Sequence, residues 1–301
     1  MALTTRAYRD AADFRRMQDA LARGYAVTGL RVGDLAWNRR QYAHRDLANH
    51  VRLWESAGEV VAWAYLRVGG FNLFVAPGLA ESALLDEMLG WVNATARAAV
   101  AAGDPAVALY TYGIDLDRSA EDRAIAAALE RDGFRLLSPP TGGVMTRSLD
   151  DLPEPRLPPG YRLGWVETRE HVLGRVEAQQ GAFAPSEVGP EDYGRARATW
   201  PYRPTLDRIV LTDKGEVVSF CTAWIDEANA AGLLEPVGTK PAHQRRGLAS
   251  AVCVDALHAL RAAGARTAQV GYGRESGRAT YGGIGFVDRW TDLVYRKEPG
   301  G

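Results

Sequence analysis

The spacing of apolar residues in the first half of the chain alternates between the two-residue repeat of strands and the 3.6-residue repeat of helices. The stretch EVVAWAYLRV is typical of a strand, whereas ESALLDEMLGWVNATARAAV has the apolar face of an amphipathic helix. In chain order the pattern predicts a strand at Glu59–Val68, a strand at Phe71–Ala76, a helix at Glu81–Val100, a strand at Ala106–Tyr112, a helix at Glu121–Asp132, and a return strand that opens at Gly133-Phe134 and ends near Gly143–Leu149.

The second half of the chain repeats this order of elements. The two halves are most similar in sequence where ALERDGF at 128–134 corresponds to TYGGIGF at 280–286. A repeat of this length indicates two copies of one α+β unit. The predicted elements are strands at Arg208–Thr212, Val217–Ile225 and Leu233–Thr239, a helix at Gly247–Ala263, a strand at Ala268–Tyr272, a short turn or helix leading to Gly285-Phe286, and a last strand near Thr291–Lys297.

A proline-rich segment separates the two copies. Four prolines fall within residues 153–159, and this density forbids helix and interior strand. We therefore predict a first domain over residues 1–150, a linker over 151–160 and a second domain over 161–301.

Composition excludes several classes of protein. The 301 residues carry 36 Lys and Arg against 37 Asp and Glu, a formal charge of -1, so no basic excess favours nucleic acid or an anionic membrane. Two cysteines and five scattered histidines give neither a disulfide framework nor metal-ligand spacing. The N-terminus has no signal-like apolar core, and Val60–Leu66 is only strand-length. We expect a cytoplasmic protein without a metal, acting as a monomer or homodimer.

The strongest chemical signal lies where the strand Leu233–Thr239 leads through a basic turn into a helix. The helix repeats Leu248, Val252 and Ala256 at helical spacing. A helix start leaves free N–H groups and a partial positive charge, to which Arg245 and Arg246 add formal charge. These groups form an anion cradle suited to a pyrophosphate, although an ordinary turn with solvated arginines has the same composition.

The cradle resembles motif A of the GCN5-related N-acetyltransferases (GNATs), which reads Gln/Arg-x-x-Gly-x-Gly/Ala. This chain has QRRGLA at 244–249, with VGTKP upstream at 237–241 and YGGIGF at 281–286, which resembles the family's Tyr-x-x-x-Gly-Phe. The resemblance covers about the last seventy residues and implies an acyltransferase that uses acetyl-CoA or another acyl-CoA. It implies an α+β (α/β mixed sheet) fold of two tandem GNAT-like domains, each a mostly antiparallel twisted sheet flanked by helices.

The resemblance also implies which residues bind the cofactor. Backbone groups around Val237, Gly238 and Thr239 would bind the pantetheine arm as an added strand. The pyrophosphate would be held by the motif and its flanking residue, which are Gln244, Arg245, Arg246, Gly247, Leu248, Ala249 and Ser250.

The first copy lacks the same features. At the matching place, residues 74–82 read FVAPGLAES, with no arginine and with Glu81 at the helix start, where it would repel a phosphate. Glu130 stands where the second copy has Tyr281. We interpret the first copy as a degenerate domain that serves as a scaffold or as one wall of the acceptor cleft.

Acetyl transfer to an amine needs a group that takes a proton from the ammonium. Glu235 lies two and four residues before Val237 and Thr239, hence on the same strand face, and could act directly or through water. It could equally be a solvent-exposed carboxylate at a strand end. Asp226 and Glu227 in the preceding hairpin are alternative bases.

The leaving thiolate needs a proton, and Tyr281 carries a phenol that could supply it. The alternative is an aromatic ring that packs beside Phe286. Arg274 and Gly277 stand where the family usually has Asn and Ala, which leaves the placement of the phenol open. Cys221 and Cys253 lie within apolar patterns and are predicted to be buried and inert.

The acceptor is a small-molecule amine by this interpretation. Contacts to it are predicted for Asp34, Trp37, Tyr193, Tyr202 and Asp226, although the aromatic residues could equally belong to the core. Richness in Ala, Arg and Gly is typical of high-GC genomes, where such enzymes often modify antibiotics or secondary metabolites. The alternative function is a non-catalytic protein that binds acyl-CoA.

Overall fold

The secondary structure was obtained from a computed structural model that describes residues 3–39, 46–67, 69–104, 108–138, 140 and 142–298. Its strands are β1 (Thr4–Ala7), β2 (Val51–Ser56), β3 (Glu59–Arg67), β4 (Gly70–Val75), β5 (Leu109–Ile114), β6 (Arg135–Leu136), β7 (Gly142–Ser148), β8 (Tyr161–Trp165), β9 (Asp207–Thr212), β10 (Val217–Asp226), β11 (Ala231–Thr239), β12 (Thr267–Tyr272) and β13 (Val287–Lys297). Its α-helices are α1 (Ala11–Arg23), α2 (Val32–Asn38), α3 (Leu47–His50), α4 (Ser82–Ala101), α5 (Ala120–Arg131), α6 (Arg169–Ala182), α7 (Pro190–Arg197), α8 (Leu248–Ala262) and α9 (Glu275–Gly282).

Two compact units make up the chain, and they are not its two halves. Unit 1 contains the described residues of Met1–Arg31, His44–Gly142 and Trp290–Gly301, and unit 2 contains those of Val32–Ala43 and Gly143–Arg289. Helix α2, from the first half of the sequence, therefore belongs to unit 2. Most of β13, from the end of the second half, belongs to unit 1.

In unit 1, the strands pair in the order β1-β2-β3-β4-β5-β13, with β6 added to β13. The pairing of β1 through β4 is antiparallel, whereas β4 and β5 are parallel. Helices α1 and α4 pack against β3, and α4 also packs against α5. Large side chains such as Trp54, Phe71 and Met88 fill the core between these elements.

In unit 2, the strands pair in the order β7-β12-β11-β10-β9-β8. All ten residues of β10 are buried, because the sheet is covered on both faces. Cys221 packs in a cluster with α8, whereas its neighbour Phe220 packs in a cluster with α6. Since successive strand residues point to opposite faces, α8 and α6 lie on opposite sides of the sheet.

The structure confirms the predicted mixed α/β fold and shifts most of the predicted elements by one to three residues. The return strand predicted from Gly133-Phe134 onward is wrong, because the chain forms two strands there. β6 pairs with β13, and β7 pairs with β12 in the other unit's sheet. The start of the strand predicted at Ala106 and the end of the strand predicted at Val68 lie outside the described residues. Residues 151–160 contain neither helix nor strand.

Candidate functional site

The two central strands of unit 2 are paired over only part of their length. β11 and β12 are parallel, and the described ladder joins Ala231–Leu234 to Thr267–Val270. Beyond Leu234, β11 continues to Thr239 in pairing with β10 alone. The end of β11 therefore presents one backbone edge that β12 does not cover, and such an edge can pair with an extended ligand.

Glu235 lies where β11 leaves β12. The register between β10 and β11 shifts there, with Cys221 opposite Val237 and Ala223 opposite Leu234. Residues 235 and 236 of β11 therefore face a single residue of β10, which makes a bulge. The carbonyl of Glu235 accepts a hydrogen bond from the indole N–H of Trp224. The Glu235 side chain is half-buried. The bulge therefore places Glu235 at the point where the strands part.

The turn after β11 has the backbone geometry of an anion site. Arg245 and Gly247 have φ values of 63° and 78°, and Gly247 is the N-cap of α8. No side chain caps this helix, and the first intrahelical bond described runs from Ala251 N–H to Gly247 C=O. The amides of the first turn, residues 248–250, thus have no partner within the helix. Left-handed residues beside a helix start direct consecutive N–H groups toward one point.

The two arginines of the turn differ in their contacts. No carboxylate pairs with either among the described residues, and both are exposed. Arg246 donates to Tyr161 Oη at 3.0 Å and to Ala242 C=O at 3.3 Å. Gln244 donates to Thr239 C=O at 3.1 Å, so its amide ties the turn to the strand end. The turn therefore carries two positive charges that no acidic side chain balances.

Tyr281, on α9, is 8% exposed and packs edge-on against Phe286, with ring centroids 6.1 Å apart. Burial raises the pKa of this phenol well above its usual range, and the nearby Cys253, Cys221 and Glu235 raise it further. The phenol therefore keeps its proton at neutral pH. The electrostatic effect of Glu235 on it indicates that the two predicted acid–base groups lie in one region of unit 2.

Cys221 and Cys253 are fully buried free thiols in the core beneath α8. Burial raises the pKa of Cys221 well above its usual range, and hydrogen bonding with Cys253 adds to the effect. A buried thiol that keeps its proton is a poor nucleophile.

Three of the predicted acceptor residues lie in a buried network of unit 2. Tyr193, 1% exposed, donates to the carboxylate of Asp207, which also accepts from Tyr202 at 3.1 Å. Trp37, 3% exposed, packs in the same aromatic cluster as Tyr193 and Trp224. These side chains pack as core residues, which is the alternative that the sequence left open, and their contact with an acceptor stays a prediction.

The predicted acidic residues have different surroundings. Asp34 is half-buried at the start of α2. Asp226 is 4% exposed and holds the hairpin turn through Asn229, accepting from its side-chain amide at 2.7 Å. Asp226 pairs with Ala231, about 13 Å along β11 from Glu235 at the usual strand rise. Glu227 is exposed and forms an ion pair with Arg203. Glu235 is thus the candidate base nearest the parting of the strands.

Tyr161 and His243 border the turn. The sequence favours a surface or core position for His243, with a phosphate contact as the alternative, and it gives Tyr161 no role in binding. The Tyr161 hydroxyl lies 2.9 Å from His243 Nδ1 as well as accepting from Arg246. Tyr161 is the first residue after the proline-rich segment, and no motif marks it. Only the pairing of β8 with β9 brings it to the turn.

Among the described residues, no helix is long and apolar enough to cross a membrane. In the same residues, no three His, Cys, Asp or Glu side chains are grouped so that they could hold a metal ion.

Comparison with known proteins identifies the class. Residues 167–286, which contain the bulge, the turn and Tyr281, match the model of the acetyltransferase (GNAT) family. A mycothiol acetyltransferase of Beutenbergia cavernae is 30% identical over 243 residues, which are 77% of this chain and 77% of that protein. The chain therefore belongs to the GNAT family, and it is an N-acetyltransferase.

Two other comparisons extend this identification. A mycothiol acetyltransferase of Streptomyces coelicolor is 30% identical over 159 residues, 49% of this chain and 50% of that protein, so the match spans about half of that relative. A solved structure described as a tandem GNAT protein from the clavulanic acid biosynthesis pathway has a TM-score of 0.65 at 16% identity, covering 100% of this chain and 99% of that chain. The tandem GNAT fold expected from the sequence is confirmed.

Proposed function

We propose that the protein transfers an acetyl group from acetyl-CoA to the amino group of a small molecule, and that unit 2 carries out the reaction. The observation that carries this proposal is the parting of β11 from β12 directly before a turn of unpaired amides and arginines. An open strand edge suits an extended pantetheine arm, and the adjacent turn suits a pyrophosphate.

The residues of the turn fit a pyrophosphate in both space and charge. A Cβ built on Gly247 would meet nothing within 4 Å, so the space in front of this backbone is open. The donors are amide N–H groups of residues 247–250 and the guanidinium of Arg245, all of which suit an anion. Backbone groups of Val237–Thr239 would hold the arm that leads from the pyrophosphate to the thioester.

Acetyl-CoA supplies an activated acyl group, and the protein's own side chains move the protons. Glu235 takes a proton from the acceptor ammonium, directly or through water, so that the nitrogen lone pair can form the new C–N bond. As the C–S bond breaks, Tyr281 donates its phenolic proton to the sulfur, and the resulting phenolate takes the proton that the new amide nitrogen must lose. Glu235 then releases its proton to solvent. An N–H near Val237 or Gly238 stabilises the negative charge that develops on the carbonyl oxygen.

The proposal places a single coenzyme site in the chain. In unit 1 the corresponding helix α4 begins after Glu81, whose side chain is exposed at the N-cap and makes no capping bond. A carboxylate there repels a phosphate, so unit 1 would bind no second coenzyme and serves as a scaffold.

The acceptor class follows from the relatives. Both are named mycothiol acetyltransferases, so their acceptor is the first compound to assay, followed by a panel of cationic amines that includes aminated antibiotics and other secondary metabolites. With an acceptor that the enzyme recognises, acetyl-CoA will release one molecule of free coenzyme A thiol for each acetyl group transferred.

The test combines two measurements on the full chain. Calorimetry with acetyl-CoA is expected to give one site per chain, and a free-thiol assay is expected to show turnover with at least one amine. Two occupied sites per chain would contradict the assignment of unit 1. Binding without thiol release from any amine, including the relatives' acceptor, would contradict acetyl transfer.

A further inference from the structure

The side chains of Tyr161, His243 and Arg246 form a hydrogen-bonded trio beside the proposed pyrophosphate site. The rings of Tyr161 and His243 are perpendicular, with centroids 5.9 Å apart. The hydroxyl between them accepts from Arg246 at 3.0 Å and lies 2.9 Å from His243 Nδ1. One phenol thus fixes the positions of two groups that bind anions.

The Tyr161 hydroxyl can also donate to His243, because its oxygen accepts from Arg246 and its single hydrogen remains available for Nδ1. In the imidazole tautomer that accepts this bond, the ring N–H is on Nε2. The trio therefore offers an N–H of His243 together with the guanidinium of Arg246.

The charge of Arg246 is not balanced by the surrounding side chains. Its described partners are the neutral oxygens of Tyr161 and Ala242. The neighbouring cation Lys240 is different, because its ammonium lies 2.9 Å from Glu216 and 3.6 Å from Glu177. Lys240 is therefore engaged by two carboxylates, whereas Arg246 keeps its charge available for a ligand.

The guanidinium of Arg246 is held by groups outside the first turn of α8. It donates to Ala242 in the 3-10 turn Pro241–His243 and to Tyr161 at the start of β8. The backbone amides of residues 248–250 belong to the start of α8 itself. Unit 2 thus has two neighbouring groups of anion donors, one of backbone amides and one of side chains.

We propose that Tyr161 is a positioning residue that holds Arg246 and His243 as a binding site for the 3′-phosphate of coenzyme A, separate from the pyrophosphate site. This inference rests on the proposed function. A cofactor with a pyrophosphate and a separate phosphate monoester requires two anion sites, and the monoester is largely a dianion at neutral pH. A guanidinium and an imidazole N–H are suitable donors for it.

The test compares acetyl-CoA with acetyl-dephospho-CoA, which lacks only the 3′-phosphate. Wild type is expected to bind acetyl-CoA about tenfold more tightly, the value of one charge-assisted hydrogen bond at a partly exposed site. Tyr161→Phe keeps the ring and its packing and should reduce this ratio to about threefold or less. Its KM for acetyl-CoA should rise while kcat at saturation is unchanged.

Two variants give matched controls. Arg245→Ala should weaken both ligands by the same factor and keep the ratio, whereas Arg246→Ala should bring the ratio close to one. Tyr110→Phe removes a phenol hydroxyl from β5 of unit 1 and should change neither affinity.

A wild-type ratio close to one, or an unchanged ratio in both Tyr161→Phe and Arg246→Ala, would overturn the 3′-phosphate site and leave the proposed function standing. Equal weakening of both ligands by Tyr161→Phe would also overturn it, because the residue would then support the pyrophosphate site instead. Wild type that binds neither ligand would overturn both proposals.

Discussion

Each unit contains a parallel strand followed by a turn and a helix, and the two turns differ in charge. Carboxylates lie at the turn of unit 1, whereas arginines lie at the turn of unit 2. In unit 1, β4 leads to α4 through Gly78, whose N–H donates to the carboxylate of Glu121 at 2.9 Å. On β5 of the same unit, Gly113 N–H donates to Asp292 at 2.6 Å. Neither α4 nor α8 has a side-chain capping bond, but in unit 2 Arg245 and Arg246 directly precede the helix.

The difference shows how one fold can keep or lose an anion site through its side chains and the backbone of one turn. In unit 1 the carboxylate of Glu121 occupies the N–H of Gly78, and Glu81 adds a further negative charge at the helix start. In unit 2 the nearby charges are positive. Gly78 and Gly247 both have positive φ, at 77° and 78°, but Gly247 is itself the N-cap of α8, whereas the N-cap of α4 is Glu81 with an extended backbone. Side-chain charge and the backbone at the helix start therefore both distinguish the two turns.

The largest expected effect comes from placing a carboxylate in the open turn. Gly247→Glu should abolish acetyl-CoA binding by calorimetry, because it adds bulk and negative charge where the pyrophosphate would bind. Gly78→Glu is the matched control, since both glycines have positive φ and open space at Cβ. Each substitution strains the backbone by roughly 1–2 kcal/mol. Equal loss of acetyl-CoA affinity in both variants would contradict the contrast between the turns.

The second effect concerns the proton for the leaving sulfur. Tyr281→Phe keeps the packing against Phe286 and removes only the hydroxyl, so kcat should fall by roughly 10²–10⁴ with little change in acetyl-CoA affinity. Glu130 holds the matching position in unit 1, and Glu130→Gln should leave turnover unchanged. Steady-state kinetics and calorimetry on both variants provide the measurement. Near-native turnover in Tyr281→Phe would mean that another group or water donates the proton.

The third effect concerns the base. Counting back six residues from Pro241 and Pro77, which follow their strands, Glu235 in unit 2 corresponds to the buried Phe71 in unit 1. Glu235→Gln should lower turnover by roughly 10² at neutral pH and less as pH approaches the pKa of the acceptor amine, where the amine is already neutral.

The control for the base is Glu227→Gln, which removes an exposed carboxylate of the preceding hairpin turn. Its pH–rate profile should match that of wild type. If Glu227→Gln shows the pH-dependent loss and Glu235→Gln does not, the base is Glu227.

The fourth effect concerns the folding stability that unit 1 loses when the carboxyl group of Asp292, which accepts from Gly113 N–H, ionises. Burial raises the pKa of Asp292 from 3.8 to about 6. The folded state therefore holds this proton more tightly than the unfolded chain. The protonated Asp292 therefore stabilises the fold fully below about pH 4. This contribution to the free energy of unfolding is lost as pH rises through 6, by at most about 3 kcal/mol.

Asp292→Asn keeps an oxygen that can accept from Gly113 and removes the charge. Chemical denaturation at several pH values should therefore show the variant more stable than wild type at pH 7.5, with the difference shrinking toward pH 4. A difference that does not change with pH would show that Asp292 is ionised in the folded state throughout this range.

The strands and helices with regular apolar spacing were predictable, including β3, β4, α4 and the series from β9 to α8. Helix α6 was missed because Arg175 and Gln179 point into the core and interrupt the apolar face that periodicity detects. Arg175 is buried against Phe220, 3.5 Å from the ring centroid, and bonds Thr222 at 3.2 Å, which are contacts that only the folded chain provides.

The exchange of segments between the units could not be predicted from the sequence either. Strand periodicity does not indicate a partner, so nothing in the pattern of β13 shows that it pairs with Leu109–Ile114. Within the site, the motif predicted the turn and its glycine. The hydrogen bonds of Tyr161 with Arg246 and His243 depend on the pairing of β8 with β9, and no sequence motif around Tyr161 indicates them.

The smallest expected effect concerns the glycine that precedes Tyr281 in α9. A Cβ on Gly277 would lie 3.6 Å from Tyr272 Cβ and 3.7 Å from Tyr281 Cε2, which are ordinary contacts. Gly277→Ala should therefore raise the free energy of unfolding by roughly 0.5–1 kcal/mol through helix propensity and reduced freedom of the unfolded chain. Gly90→Ala in α4 of unit 1 is the matched control, since a Cβ there meets nothing within 4 Å. Both variants should gain similar stability by chemical denaturation. Both should also keep kcat within about twofold, because the new Cβ in α9 makes only an ordinary contact with the ring edge of Tyr281. A fall in kcat confined to Gly277→Ala would show that the glycine gives the phenol a freedom that catalysis requires, a property for which unit 1, with Glu130 in that place, has no counterpart.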